Sequence, residues 1–120
     1  MDRTRLNELL SQLRSTSGWC GCYIGDGWVP LVTLALEGLS AYPGVEILQI
    51  KEKLGGLRLY VGAAPVEADG LIEAAERAAS VTCESCGAGG VLCHNSRGWL
   101  RTLCSACQVP SYSPCQQDSE

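Results

Sequence analysis

Two C-x-x-C pairs are the most chemically informative feature of the chain. Cys83 and Cys86 form the first pair, Cys104 and Cys107 form the second, and residues 87–103 separate them. Zinc takes four thiolates in a tetrahedral arrangement, and two C-x-x-C turns that face each other supply such a set. The spacing is typical of zinc ribbons and treble-clef knuckles. We therefore predict that these four cysteines bind one structural zinc ion per chain.

Other roles for these cysteines are a redox dithiol pair or ordinary buried thiols. A thioredoxin-like pair would need a βαβ context, which the sequence does not show. Zinc held by four protein ligands has no open coordination position, so the predicted metal is structural and not catalytic. The single histidine, His94, is interpreted as a loop residue, because its use as a ligand would break up the two pairs. Without further histidines to activate water, we predict that the protein is not an enzyme.

The eight cysteines also bear on the cellular compartment. In a secreted chain they would suggest disulfides, but the first residues lack the continuous apolar core of a signal peptide. No apolar run approaches the roughly 18 residues that a membrane span needs. We therefore predict a cytoplasmic protein with no membrane association. A second metal site formed by Cys20 and Cys22 with Cys93 and Cys115 is an alternative to ordinary packing of Cys20 and Cys22, which we favour.

A second candidate site is one face of a β-hairpin that we predict over residues 45–62. Two β-prone runs flank Gly55-Gly56, and glycines supply the positive φ angles that a tight hairpin turn requires. This turn would place Lys53 opposite Arg58 and Lys51 opposite Tyr60, while apolar residues fill the other face. The predicted binding surface is therefore basic, with one aromatic residue.

Two interpretations of this basic face stay open. Like charges opposite each other are mildly destabilising in a sheet, which a binding function for acidic protein, phosphates or RNA would explain. The alternative is a solvated face, with Glu46 and Glu52 as counter-ions. The formal net charge of −4 argues against nucleic acid as the partner. The three tryptophans are interpreted as core residues: Trp19, Trp28 and Trp99.

Hydrophobic periodicity predicts the elements that position these residues. Leucines at helical spacing predict a first helix over residues 3–15. Residues 18–27 are glycine-rich and are predicted to form an ordered loop. Asp26 is predicted to cap a second helix that begins at Trp28. A third helix is predicted over residues 66–80.

These elements predict an α+β fold. A small helix–helix–β-hairpin–helix domain, residues 1–81, continues into a zinc-binding module of zinc-ribbon or treble-clef type, residues 82–110. Residues 111–120 are predicted to be an irregular tail. The length of 120 residues suits one compact domain with a small appended module, in which a metal compensates for a small core.

Three motifs, in this order, resemble a group of small phage and prophage proteins. Those proteins typically carry G-D-G-W before a helix, then Q-(I/V)-K-E-K-F-G-G-L-R-F-Y, then T-C-E-x-C-G followed by G-W-x-x-T-L-C. The corresponding segments here are residues 25–28, 49–60, 82–87 and 98–104. The resemblance covers about residues 23–107, and Leu54 and Leu59 depart from it where the group usually has aromatic residues. It implies a viral or prophage origin and a dispensable, host-directed role. It does not imply any particular biochemical activity for this chain.

Together these features predict a phage-encoded, non-enzymatic binding protein with a structural zinc. Its predicted partner is a host protein or protein complex, for example an antiviral complex of the CRISPR type that it inhibits. The alternative is a nucleic-acid-binding regulator that uses the basic hairpin face, with the zinc module as a scaffold.

Overall fold

The computed structural model describes residues 2–115 and has an α+β fold. Its helices within that range are α1 (Thr4–Leu13), α2 (Val29–Leu39), α3 (Asp69–Ala79) and α4 (Ser105–Gln108). Its strands are β1 (Cys22–Tyr23), β2 (Glu46–Lys53), β3 (Gly56–Gly62), β4 (Val91–His94), β5 (Leu100–Leu103) and β6 (Ser113–Pro114). None of the helices in residues 2–115 is long and apolar enough to cross a membrane.

The three longer helices follow the predicted periodicity, but α2 begins differently from the prediction. It starts at Val29, after a 3₁₀ turn at Asp26–Trp28, and has no side-chain cap. The Asp26 carboxylate instead accepts two hydrogen bonds from the Arg3 guanidinium, at 2.9 and 3.1 Å. The predicted capping role of Asp26 is therefore wrong, because its carboxylate ties the start of α2 to the residue before α1.

The hairpin of β2 and β3 has a register that differs from the predicted one. Lys51 lies opposite Arg58, and Lys53 lies opposite Gly56. The predicted pairs of Lys53 with Arg58 and of Lys51 with Tyr60 are therefore wrong by two residues.

The turn of this hairpin explains the shift. Sequence favours Gly55-Gly56 as its centre, because glycine adopts positive φ freely. In the structure the central residues are Leu54 and Gly55, with φ of 55° and 85°, and Gly56 already belongs to β3. A shift of two residues keeps each side chain on its original face. Ile50 and Leu59 therefore still point inward, where both are buried.

The first sheet gains a strand that the sequence does not predict. Cys22 and Tyr23, within the glycine-rich segment 18–27, pair in parallel with Ile50 and Lys51 of β2. The strand order is β1-β2-β3. Tyr23 therefore lies next to Lys51 on the outer face of the sheet.

The main hydrophobic core lies between this sheet and the three longer helices. α1 contacts β2, α3 contacts β3, and α2 packs against both helices. Trp28 is the largest side chain in this core and is fully buried. A β-bulge between Ile47 and Gln49 allows Ile47 and Ile50 to be buried on the same side of β2.

The second sheet has the order β5-β4-β6, with both neighbours antiparallel to β4. The predicted irregular tail, residues 111–120, therefore contains a short strand at Ser113–Pro114, because these residues pair with β4. Residues 116–120 of that tail lie outside the described residues. A separate small core has three fully buried members: Cys83, Cys93 and Leu103.

The left-handed backbone at Leu54 yields a test of the turn. Leu54→Asn is expected to raise the free energy of unfolding by about 0.5–1 kcal/mol, because asparagine tolerates positive φ better than leucine. Leu54 is exposed, so the change removes little buried apolar surface. Urea denaturation measures the difference.

Leu54→Ala is the control for this test, because alanine keeps the cost of positive φ. It is expected to leave stability within about 0.5 kcal/mol of the parent chain. A marked loss of stability in the asparagine variant would instead place position 54 inside a strand.

Candidate metal centre

The structure brings the four predicted ligands together. The sulfur atoms of Cys83, Cys86, Cys104 and Cys107 all lie within 4.8 Å of one another, and those of Cys86 and Cys104 are 3.6 Å apart. Four sulfurs around an ion at about 2.3 Å form a tetrahedron with edges of about 3.8 Å. The cluster therefore has the size and the donor set to hold one metal ion.

Backbone turns build both halves of the cluster. In the first, the Gly87 N–H donates to the Cys83 carbonyl at 2.9 Å, and Gly87 has a φ of 88° that suits glycine. In the second, the Cys104 carbonyl accepts from the N–H groups of Cys107 and Gln108 as α4 begins. The Glu84 N–H donates to the backbone carbonyl of Thr102 in β5 at 2.9 Å, and this hydrogen bond joins the two halves of the cluster.

Hydrogen bonds set the protonation of the sulfurs. Burial raises the pKa of Cys83, but the backbone N–H groups of Cys104, Cys86 and Ser85 outweigh it and lower this pKa to about 6. At Cys107, hydrogen bonds with the sulfurs of Cys104 and Cys83 raise the pKa to about 12. A bound cation would replace the protons of these sulfurs, because thiolates are the metal ligands.

The other cysteines and the histidine lie outside this cluster. Within residues 2–115, Cys20, Cys22, Cys93 and Cys115 belong to no group of potential metal ligands. Cys93 is buried, and its thiol donates a hydrogen bond to the Val91 carbonyl at 3.2 Å. His94 is exposed on β4.

The G-D-G-W segment, residues 25–28, packs directly against the first cysteine turn. The indole N–H of Trp28 donates to the Thr82 carbonyl at 2.9 Å, and the Gly27 N–H donates to the Glu84 carbonyl at 2.7 Å. A Cβ on Gly27 would lie only 2.1 Å from the Cys83 carbonyl oxygen. Only glycine therefore permits this approach of the two backbones.

The Glu84 side chain also contacts both sides of this junction, by which we mean the contact between residues 25–28 and the first cysteine turn. Its carboxylate is buried, accepts the Gly25 N–H at 2.9 Å, and lies 3.6 Å from the Arg101 guanidinium. Arg101 also donates to the Ser85 hydroxyl at 3.1 Å. A buried carboxylate is tolerated when it is paired and hydrogen-bonded in this way.

The tip of the β2–β3 hairpin closes the junction from another side. The Thr102 hydroxyl, which is buried, donates to the Gly55 carbonyl at 2.7 Å. A Cβ on Gly55 would lie 2.5 Å from the Leu92 side chain. The three motifs that carry the resemblance therefore meet at one place. Sequence reasoning missed this meeting, although paired glycines are a signal of close backbone approach.

The predicted binding residues share the outer face of the first sheet. Lys51 and Arg58 are half-buried there, whereas Lys53 and Tyr60 are exposed. Tyr23 joins them from β1 with 65% of its surface exposed, and sequence reasoning missed it because a two-residue strand has no periodicity.

Ion pairing distinguishes the cations of this face from the arginines near the N-terminus. Among residues 2–115, the three cations of the face, Lys51, Lys53 and Arg58, form no ion pair, whereas Arg3 and Arg5 each pair with a carboxylate. The predicted counter-ion Glu52 instead accepts a hydrogen bond from the backbone of the hairpin turn, at 2.6 Å.

The three tryptophans divide into different environments. Trp28 is fully buried and Trp19 is half-buried against the main core, as predicted. Trp99 is 66% exposed, so its interpretation as a core residue is wrong. It lies at the end of the turn between β4 and β5.

Four protein thiols can fill every position of a tetrahedral metal, which leaves none for water or substrate. Comparison of the chain with protein-family models, with curated proteins and with solved structures finds no match. What the protein does must therefore be inferred from its own residues.

Protein purified without chelators is expected to contain about one zinc ion per chain, measured by mass spectrometry of the metal. Cys104→Ser is expected to lose the metal and to unfold at least residues 82–107, because metal binding and folding are coupled. Cys20→Ser, outside the cluster, is the control and should keep both. Metal-free protein from the same preparation would contradict the site.

Gly27→Ala tests the backbone approach. We expect it to lower the free energy of unfolding by roughly 2 kcal/mol or more, since the added methyl forces the backbone of the cysteine turn to move. Metal affinity should fall with it, because Cys83 lies in the displaced segment.

Gly70→Ala is the matched control for that change. Gly70 lies in the first turn of α3 with open space at its Cβ position, so alanine should leave stability unchanged or raise it by about 0.5 kcal/mol. Equal stability of the two variants would show that the junction is looser than the structure indicates.

Proposed function

We propose that this chain is a non-enzymatic, zinc-stabilised binding protein that engages a host protein or protein complex. Its zinc module is of the ribbon or treble-clef type, with Cys83, Cys86, Cys104 and Cys107 as the ligands. The resemblance to phage and prophage proteins supports a phage origin, action in the host cytoplasm, and inhibition of an antiviral complex such as a CRISPR effector.

The zinc in this proposal has a structural role. A divalent ion bound by four thiolates gives the site a net charge of −2, and Arg101 lies close by through its contacts with Glu84 and Ser85. The ion would hold the two cysteine turns in place, and through them the backbone that Gly27 and Trp28 contact. The metal thereby fixes the relative position of the two sheets.

The uncompensated basic face of the first sheet is the observation that carries the proposal. A chain with a net charge of −4 keeps three cations without an ion pair on one strand pair, beside the exposed rings of Tyr23 and Tyr60. Arginine and tyrosine are enriched among the residues that dominate binding energy at protein interfaces. An acidic surface on a protein partner would complement this face.

Nucleic acid is the second candidate partner. The two tyrosines flanking Lys51 and Arg58 could stack on bases, as aromatic residues do in single-stranded nucleic-acid binding. Three cations are few for a phosphate backbone, however, and the negative net charge opposes association. We therefore rank an acidic protein first.

Capture of partners from host lysate by the tagged, zinc-loaded chain tests the proposal. The double variant Lys51→Glu with Arg58→Glu is expected to lose the captured protein, with affinity for the identified partner reduced roughly 30-fold or more. Its thermal stability should change little, since both side chains lie on the outer face of the sheet and surface substitutions usually shift stability by about 0.5 kcal/mol.

Arg77→Glu is the matched charge reversal, because Arg77 is exposed on α3 and not on the sheet face. It should capture the partner as well as the parent chain does. Equal capture by the double variant would contradict the assignment of the face. Tight binding of an oligonucleotide that falls steeply with salt would promote the nucleic-acid alternative.

A further inference from the structure

A cleft of about 400 Å³ opens between the tips of the two hairpins. Lys53 and Leu54 line it from the β2–β3 hairpin, and Arg97 and Trp99 line it from the turn between β4 and β5. Tyr112 lines it as well. Pockets of this size accommodate a few side chains of a ligand. The cleft is distinct from the cysteine cluster.

Two apolar side chains in the cleft are mostly exposed to solvent. Leu54 is 69% exposed and Trp99 is 66% exposed. Leu54 also occupies a left-handed turn position that disfavours leucine. Neither local conformation nor core packing therefore accounts for leucine at this position, whereas a ligand that covers both side chains would.

The backbone that carries Trp99 is fixed before any ligand arrives. The Asn95 side-chain oxygen accepts hydrogen bonds from the N–H groups of Arg97 and Trp99, at 2.9 and 3.0 Å. The Asn95 N–H donates to the Trp99 carbonyl at 3.1 Å, and Gly98 has a φ of 80°. Such preorganisation reduces the entropy lost when a ligand binds.

The charges of the cleft select an anionic ligand. Lys53 and Arg97 form no ion pair among residues 2–115, whereas Arg101 in the wall is held by Glu84. Among the described residues that line the cleft, Glu52 is the one that carries a carboxylate, and it already accepts the Gly55 N–H. Lys53 also belongs to the basic sheet face, so the cleft continues that face towards the zinc module.

We propose that this cleft binds a short acidic segment of the protein partner. An apolar or aromatic side chain of that segment sits between Trp99 and Leu54, and flanking carboxylates pair with Lys53 and Arg97. A peptide fits better than nucleic acid, because two cations beside an apolar wall suit one apolar side chain flanked by acids more than a row of phosphates. This inference rests on the proposed function and specifies where on this chain the protein partner binds.

Nuclear magnetic resonance of the ¹⁵N-labelled, zinc-loaded full chain tests it. The probes are blocked hexapeptides with four acidic residues around a central Leu-Phe, Leu-Trp or Leu-Leu pair, and the same peptides with lysine in place of each acid. At least one acidic peptide is expected to shift the indole N–H signal of Trp99 with a Kd below about 1 mM, while no lysine peptide does so.

Variants then locate the peptide. Trp99→Ala and Arg97→Glu are each expected to weaken the acidic peptide at least tenfold, and Arg77→Glu should leave its affinity unchanged. The indole signal of buried Trp28 reports whether each variant keeps the junction with Thr82 intact. Affinity that is unchanged in the Trp99 and Arg97 variants would overturn the cleft as the site.

The remaining outcomes separate this inference from the proposed function. If no acidic peptide binds, while capture of the partner still depends on Lys51 and Arg58, the cleft inference fails and the proposed function stands. If a twelve-residue oligo-uridine shifts the Trp99 signal and no peptide does, the occupant is nucleic acid and the cleft inference fails; the proposed function fails with it only if capture of a protein partner no longer depends on Lys51 and Arg58.

Discussion

The contact between two backbones at Gly27 is the constraint on which the rest of the structure depends. The Gly27 N–H bonds to the Glu84 carbonyl, and its α-carbon lies so close to Cys83 that a side chain has no room. One cysteine of the candidate metal site and the start of α2 are therefore positioned by a single contact. The buried Trp28, with its indole bonded to Thr82, extends that contact into the main core.

The features that could be predicted from sequence are those set by local spacing. The spacing of the two C-x-x-C pairs is enough to predict a four-thiol metal site, because each pair forms one turn and four thiols suit one ion. The helices follow from leucine and alanine periodicity, and the hairpin follows from β-prone runs around a glycine pair. The inward and outward faces of β2 and β3 were also predictable, since a register error of two residues does not exchange them.

The features that could not be predicted depend on tertiary contacts or on residues in unfavoured conformations. The register was missed because Leu54, and not Gly56, adopts positive φ. β1 was missed because two residues carry no periodic signal, and its pairing partner lies 28 residues further along the chain. Asp26 has the sequence position of a helix cap, but its carboxylate accepts a hydrogen bond from Arg3, which lies 23 residues earlier in the chain.

The long sequence separation of the junction contacts has a consequence for folding during synthesis. The hydrogen-bond partners of Trp28, Gly25 and Gly55 lie 54, 59 and 47 residues further along the chain. Each partner is therefore synthesised later than the residue that it bonds to. While the ribosome still holds the C-terminal module, the Trp28 indole N–H and the Gly55 carbonyl lack these hydrogen-bond partners. The N-terminal part therefore completes its packing after the cysteines have emerged, and a metal ion held by the cluster would be captured at that closing step of folding.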